Sequence, residues 1–293
     1  MQRRKEAAGE QDEKGRADRA KGVLMGLCAG DRNGGPVRMA VRLAESLVEK
    51  QTYDREDVIR RYHAWHKGPP YDTEKAFDTG LTFRSVFSAI STGKCSSVDE
   101  AAARLSQQAG CNAAHRSAPL AMAAFLSDSE LWDICQQEST ITHVHKLSVE
   151  GCFAIVFLCR RLVEGQTWEE AKTQLLSLSK DKEWSEESAQ ALSGQRSIST
   201  GGFMPDVLVT ALHFVDESRD FASALSKSLQ YAGSANFCPV LVGALAGARY
   251  GASNIPPNLI NDAIVNRKER PRIERTATQL ASSWLADKED SEE

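Results

Sequence analysis

Apolar residues recur along this chain at helical spacing. Between residues 37 and 49, Met39, Leu43, Leu47 and Val48 form one stripe, with Arg38, Arg42 and Glu45 opposite. Asp54 stands as a cap before a segment ending near Trp65, in which Val58, Ile59, Tyr62 and Trp65 share one face. Similar periodicity predicts helices over residues 79–91, 119–125, 129–137, 147–164, 205–215, 221–231 and 239–250, with a short one at 257–264. Ser97-Val98-Asp99-Glu100 has the form of a capping box, and Thr167-Trp168-Glu169-Glu170 supplies an N-cap and an acidic first turn. No run alternates convincingly at period two, although residues 200–204 read either way. The loops are short and polar, and no shift in composition marks a boundary. The prediction is an all-α, single compact domain of orthogonal helices over residues 19–286. Residues 1–18 and 287–293 are charged and lack large apolar side chains, so both are expected to be unordered tails.

Composition narrows the function classes. The 293 residues are 41% hydrophobic and 26% charged, with a formal net charge of -4. That length suffices for one large core or two smaller ones. A mildly acidic chain lacks the basic footprint that phosphate backbones demand, so no nucleic-acid partner is expected. The longest apolar run, residues 152–159, stops at Arg160 and Arg161, well short of the roughly 20 residues that span a bilayer. No membrane partner and no secretory signal are expected. Seven cysteines form no CxxC pair, which suits a reducing, cytoplasmic setting better than a disulfide framework.

Five ordered segments carry a family resemblance. Lys21 to Asp31 (KGVLMGLCAGD), Met39-Ala40 with Leu43 to Leu47, Gly110 to Leu120 (GCNAAHRSAPL), Thr142-His143-Val144-His145, and Ala232 to Pro256 resemble the signature segments of the ADP-ribosylglycohydrolases. Gly243 to Ala248 with Tyr250-Gly251 match the last of these most closely. The resemblance implies that family's helical fold, a cleft for an ADP-ribose-like small molecule, and hydrolysis of a glycosidic bond. It also implies two divalent cations held by a Thr-Asp-Asp-Thr turn and an Asp-x-Asp-Thr turn. Here the corresponding turns read Gly34-Gly35-Pro36-Val37 and Ser234-Ala235-Asn236-Phe237. Hard cations need several carboxylates to replace their hydration shell, and both turns have lost theirs. No metal ligand and no cofactor are therefore expected, although Ser234 and Asn236 remain as hydrogen-bonding groups.

Other polar residues keep chemistry open. The glycine-rich loop Asp31-Arg32-Asn33-Gly34-Gly35-Pro36 opens a helix and could offer N–H groups to an anion; alternatively Asp31 and Arg32 pair internally. Asn112, His115 and Arg116 fall in the segment that resembles the family's ligand-contacting loop, against the plainer reading that His115 and Arg116 satisfy buried carbonyls. Cys111 is a nucleophile only if its thiolate is stabilised, and otherwise a buried thiol. His143 and His145 have a spacing that suits an extended metal turn but lack partners nearby, so a cleft role is the better functional reading. Asp78 faces the cleft by resemblance, or simply caps a helix. Glycosidic hydrolysis needs a proton donor and a base or charge stabiliser; Asp31, Asp78 and His115 are the candidates. Asn33, Asn112, Arg116, His143, His145, Ser234 and Asn236 are the candidate ligand contacts. The function expected is a divergent, metal-independent hydrolase of a ribose-containing small molecule. The alternative is an inactive ligand-binding or structural homologue, for which the jellyfish J1 crystallins, which resemble the same family, are a precedent. Oligomeric state is left open.

Overall fold

Two helices rich in small residues set the centre of the molecule. A computed structural model describes residues 2–261, 265 and 269–285 of the chain. Helix α1 (Gln2–Gly30) lies along a helix near the other end of the chain, Cys238–Tyr250 (α13 in order below), and the two backbones nearly touch. A Cβ on Gly26 would fall 2.1 Å from the carbonyl oxygen of Gly243, and one on Gly30 would fall 2.1 Å from that of Pro239. Only glycine permits this approach.

The remaining helices wrap this pair: α2 (Gly35–Lys50), α3 (Arg55–Lys67), α4 (Gly80–Ser91), α5 (Val98–Ala103), α6 (Asn112–Ser117), α7 (Leu131–Thr140) and α8 (Lys146–Val163). Then come α9 (Trp168–Asp181), α10 (Glu186–Leu192), α11 (Met204–Asp216), α12 (Phe221–Ala232), α13 (Cys238–Tyr250) and α14 (Glu269–Ala281). Helix α8 is buried almost all round and touches α6, α7, α9 and α13. Among the described residues there is no strand; within residues 200–204, Phe203 forms an isolated bridge with Gly110 and Met204 opens α11. No described helix is long and apolar enough to cross a membrane.

Most predicted helices are present within a few residues. Asp54 caps α3 by accepting from the Asp57 N–H, and Thr167 with Glu170 completes a capping box on α9. At α5 the box is incomplete: Ser97 accepts from the Glu100 N–H, but Glu100 reaches back to Ser96 instead. Residues 118–122 form a 3-10 turn rather than an α-helix, and Arg160, buried in α8, donates to the carbonyls of Ala123 and Leu126 just beyond it. The expected tail over residues 1–18 gives way to helix from Gln2 onward. Asp18 in that helix accepts from both the backbone and the hydroxyl of Ser253. The predicted acidic tail at 287–293, and residues 262–264 of the predicted short helix, lie outside the described residues.

The charged side of α2 is not a solvent face. Arg42 is fully buried, makes a forked contact with Asp72 at 3.0 and 2.9 Å, and stacks over Trp65. Arg38 binds Glu74 and Glu269, and Glu45 pairs with Arg272 at 2.6 Å. The loop at 72–77 and α14 therefore cover the face that the sequence pattern assigned to water.

Candidate functional site

The start of α2, the turn before α13 and the loop before α4 converge on one cluster of polar groups. Asp31 follows the last residue of α1 and is 2% exposed. Its Oδ1 accepts from the Asn33 and Gly34 N–H groups at 3.1 and 2.8 Å, and its Oδ2 from the Val37 N–H at 2.8 Å. Val37 lies in the first turn of α2 and Gly34 is its N-cap residue, so the carboxylate caps that helix from just outside it. A fourth donor, Asn236 Nδ2, reaches Asp31 Oδ1 at 2.9 Å and Asp78 Oδ2 at 3.4 Å. Asn236 Oδ1 accepts from the Arg32 N–H at 2.8 Å, which fixes which end of the amide faces the carboxylates.

Asp78 is the exposed carboxylate of the cluster. It sits in the left-handed region at φ +48°, immediately against Gly35, whose Cβ would fall 2.1 Å from the Asp78 carbonyl oxygen. Asn33 Nδ2 reaches its Oδ1 at 3.3 Å, and Asn112 Nδ2 holds the adjoining loop through the Thr79 carbonyl at 2.7 Å. Thr79, not Asp78, occupies the N-cap of α4, so the capping explanation of Asp78 falls away. Partial burial of its carboxyl and then the nearby Asp31 charge raise its pKa above the usual aspartate range; Asn33, Asn236 and the Gly35 N–H pull the other way. A raised folded-state pKa means the native protein holds this proton more tightly than the unfolded chain. Its contribution to stability is present at acid pH and is lost as pH rises through the interval above the ordinary aspartate value. Asp78→Asn is accordingly expected to gain stability relative to wild type as pH rises through that interval, measured by urea denaturation across pH. A constant difference at every pH would contradict the assignment.

The other sequence candidates make no hydrogen bond to this cluster among the described residues. His115 and Arg116, read as a catalytic group and a ligand contact, are both completely buried, so they support the cleft from behind instead of lining it. His115 Nε2 lies 2.9 Å from the Phe237 carbonyl, which can only accept, so that nitrogen carries the proton; burial pushes the imidazole pKa down to about 4. Arg116 donates to Glu138 Oε1 and to Thr142 Oγ1, each at 2.8 Å, and to the Glu138 carbonyl at 3.0 Å. His143 is 2% exposed, and His145 caps α8 by accepting from the Leu147 N–H at 3.2 Å. Ser234 is exposed beside the cluster in sequence, and no hydrogen bond ties its side chain down among the described residues. Cys111 is buried with its thiol pushed up to about 12, which removes it as a nucleophile. Asp206 pairs with Arg196, and His63 stacks on Phe87.

Several supporting residues escaped the sequence reading. Glu138 and Tyr62 complete the Arg116 network, and Glu150, buried in α8, accepts from the Ser185 N–H and the Ser188 hydroxyl at the start of α10. No local spacing announces either carboxylate, because each meets its partner across the fold.

The arrangement does not suit a pair of hard cations. Among the described residues every hydrogen bond to Asp31 comes from an N–H donor, and the Asn236 amide presents donors, not ligands, to both carboxylates. Among the described residues no group of three or more His, Cys, Asp or Glu side chains converges as a metal site.

The chain belongs to the ADP-ribosylglycohydrolase family, whose profile matches residues 37–290. It is 28% identical to the ADP-ribosyl-[dinitrogen reductase] glycohydrolase of Rhodospirillum rubrum, across 80% of this chain and 76% of that protein. It is 25% identical to the ADP-ribosylarginine hydrolase Tri1 of Serratia proteamaculans strain 568, across 93% and 81% of the two chains. The fold is also that of a solved ADP-ribosylglycohydrolase-related protein complex, with a TM-score of 0.72 and 20% identity over 92% of this chain.

Proposed function

We propose that this protein is a divergent, metal-independent hydrolase that cleaves a glycosidic bond of an ADP-ribose-like or other ribose-containing small molecule. Family membership supports hydrolase chemistry. The observation that carries the metal-independent part is Asn236, whose neutral amide stands between Asp31 and Asp78 where a cation pair would need carboxylate ligands. Asp78 is the proton donor to the leaving group: it is exposed, and partial burial of its carboxyl shifts its pKa in the direction that favours the acid form. Asp31 is the fixed negative charge nearby. It holds Gly34 and Val37 in place and stabilises positive charge developing on the sugar. Asn33 and Asn112 shape the loop around the ligand, with Ser234 free to contact it.

The test is release of ADP-ribose from ADP-ribosylated arginine and serine substrates, with and without a chelator, beside thermal shifts with free ADP-ribose. Turnover indifferent to chelator and reduced about 10²–10⁴-fold in Asp78→Asn is the expected result. Mg²⁺-stimulated release abolished by chelator would overturn it. The second reading is an inactive ligand-binding or structural homologue. The complete burial of His115 and Arg116 favours it, since neither reaches a substrate. Stabilisation by ADP-ribose without turnover of any substrate would select a binding protein. No shift with ADP-ribose and no turnover would select a structural one.

A further inference from the structure

Arg38 lies one turn into α2, is only 6% exposed, and joins three parts of the chain through its guanidinium. Its Nη1 donates to the Gly34 carbonyl at 2.9 Å, at the start of α2. Its Nε donates to Glu74 Oε1 at 2.8 Å, in the loop that leads to Asp78. Its Nη2 donates to Glu269 on α14. The guanidinium carbon also lies 4.6 Å from the centre of the Phe77 ring, one residue before Asp78, and Trp65 meets the same ring at 6.3 Å. Arg42, one turn further on, holds the far end of the loop through Asp72 at 2.9 Å and lies 3.7 Å from Glu74.

What this clamp holds is a backbone that does not rest there unaided. Asp78 has φ +48°, and a Cβ on Gly35 would meet the carbonyl oxygens of Asp78 and Phe77 at 2.1 and 2.8 Å. A side-chain-bearing residue in the left-handed region persists where its surroundings over-determine it. Arg38 grips both sides of that contact. Gly34, the neighbour of Gly35, takes one arm; Glu74 takes another and Phe77 lies against the flat face. The Gly34 N–H is bound to Asp31 at 2.8 Å, so the same residue that Arg38 holds also carries a contact of the buried carboxylate. We propose that Arg38 is the positioning residue of Asp78: by tying Glu74 and Phe77 to Gly34, it keeps the Asp78 carboxyl beside Asn33 and Asn236. What Asp78 does there rests on the functional reading above; where it is held does not.

Carboxyl ¹³C titration of the full chain reads the placement, with the Asp78 signal identified by its loss in Asp78→Asn. The sign separates two causes. Removing a nearby positive charge alone leaves the Asp78 pKa where it was or raises it. Release of the loop into water lowers it toward the ordinary aspartate value, because partial burial is the main reason it stands above that value. The expected result is a lower Asp78 pKa in Arg38→Met and in Glu74→Ala. Glu74→Gln keeps an oxygen acceptor for Arg38 Nε and should stay close to wild type. So should Arg272→Ala, which removes a side chain that hydrogen-bonds Glu45 alone among the described residues. An unchanged or raised pKa in Arg38→Met overturns the proposal, and so do equal values in Glu74→Ala and Glu74→Gln. The Glu74 pair decides even if Arg38→Met does not fold. Turnover separates this proposal from the hydrolytic reading. Where ADP-ribosylated arginine or serine is hydrolysed, kcat in Arg38→Met should fall about 10²-fold with KM little changed. A wild-type kcat despite a lowered Asp78 pKa removes Asp78 as proton donor and leaves its positioning standing.

Discussion

Glu138→Ala is expected to lower folding stability by about 3–5 kcal/mol, the range found when one partner of a buried ion pair is removed. Glu138 and Arg116 both have no exposed side-chain surface, and their contact is 2.8 Å. Removing the carboxylate strands a guanidinium in the interior and takes the acceptor from the Tyr62 hydroxyl as well. Urea denaturation at near-neutral pH measures the loss, with Arg55→Ala as the control. Arg55 pairs at 2.5 Å with Asp99, whose side chain is 64% exposed, and such pairs contribute only about 0–1 kcal/mol. A Glu138→Ala loss no larger than the control would mean that the pair is not enclosed. The double replacement Arg116→Met with Glu138→Leu should recover much of the loss, because an apolar pair of similar volume needs no desolvation.

The helical fold was legible because most helices here bury one wide apolar stripe, and stripes survive in sequence. Helices α2, α3, α11 and α12 announce themselves this way, and α8 and α13, buried almost all round, by their long apolar runs. Helix α14 does not. It buries Ile273 and Leu280 but otherwise Thr276, Ala277 and Ala281, small residues that leave a faint pattern. Its docking also explains why the charged face of α2 misled: Arg272 and Glu269 arrive from more than 200 residues away to meet Glu45 and Arg38. Burial of an arginine is decided by partners that no local window contains.

The sequence named residues that the structure brings together, but not their division of labour. Asp31, Asn33, Asp78 and Asn236 meet in one hydrogen-bonded cluster, with Asn112 holding the adjoining loop. What the sequence withheld was direction. Asp31 and Asp78 are the same residue type on similar glycine-rich loops, yet four N–H donors enclose one and leave the other exposed. His115 and Arg116 lie on a six-residue helix, where a shift of one position separates a cleft wall from a core. Helical periodicity over so short a span cannot choose between them.

Gly26→Val should destabilise the protein by more than about 3 kcal/mol, beyond the usual cost of overpacking a core. The new Cβ would land 2.1 Å from the Gly243 carbonyl oxygen and 3.1 Å from the Gly247 Cα. Backbone atoms cannot rotate out of the way, so α1 and α13 must separate. Gly9→Ala, in the same helix, is the contrasting case. Nothing lies within 4 Å of its added Cβ, and removing a mid-helix glycine should stabilise by about 0.5–1 kcal/mol. Thermal or urea unfolding of both variants reads the opposite signs; equal effects would refute the close helix contact. The proposed site depends on the same contact, because α1 delivers Asp31 and the turn into α13 delivers Asn236. Gly30→Ala, aimed 2.1 Å from the Pro239 carbonyl oxygen, pushes apart the ends that carry those two residues. It should therefore weaken any ADP-ribose response even at temperatures where the protein remains folded. An unchanged response would place the ligand away from the Asp31–Asn236 junction.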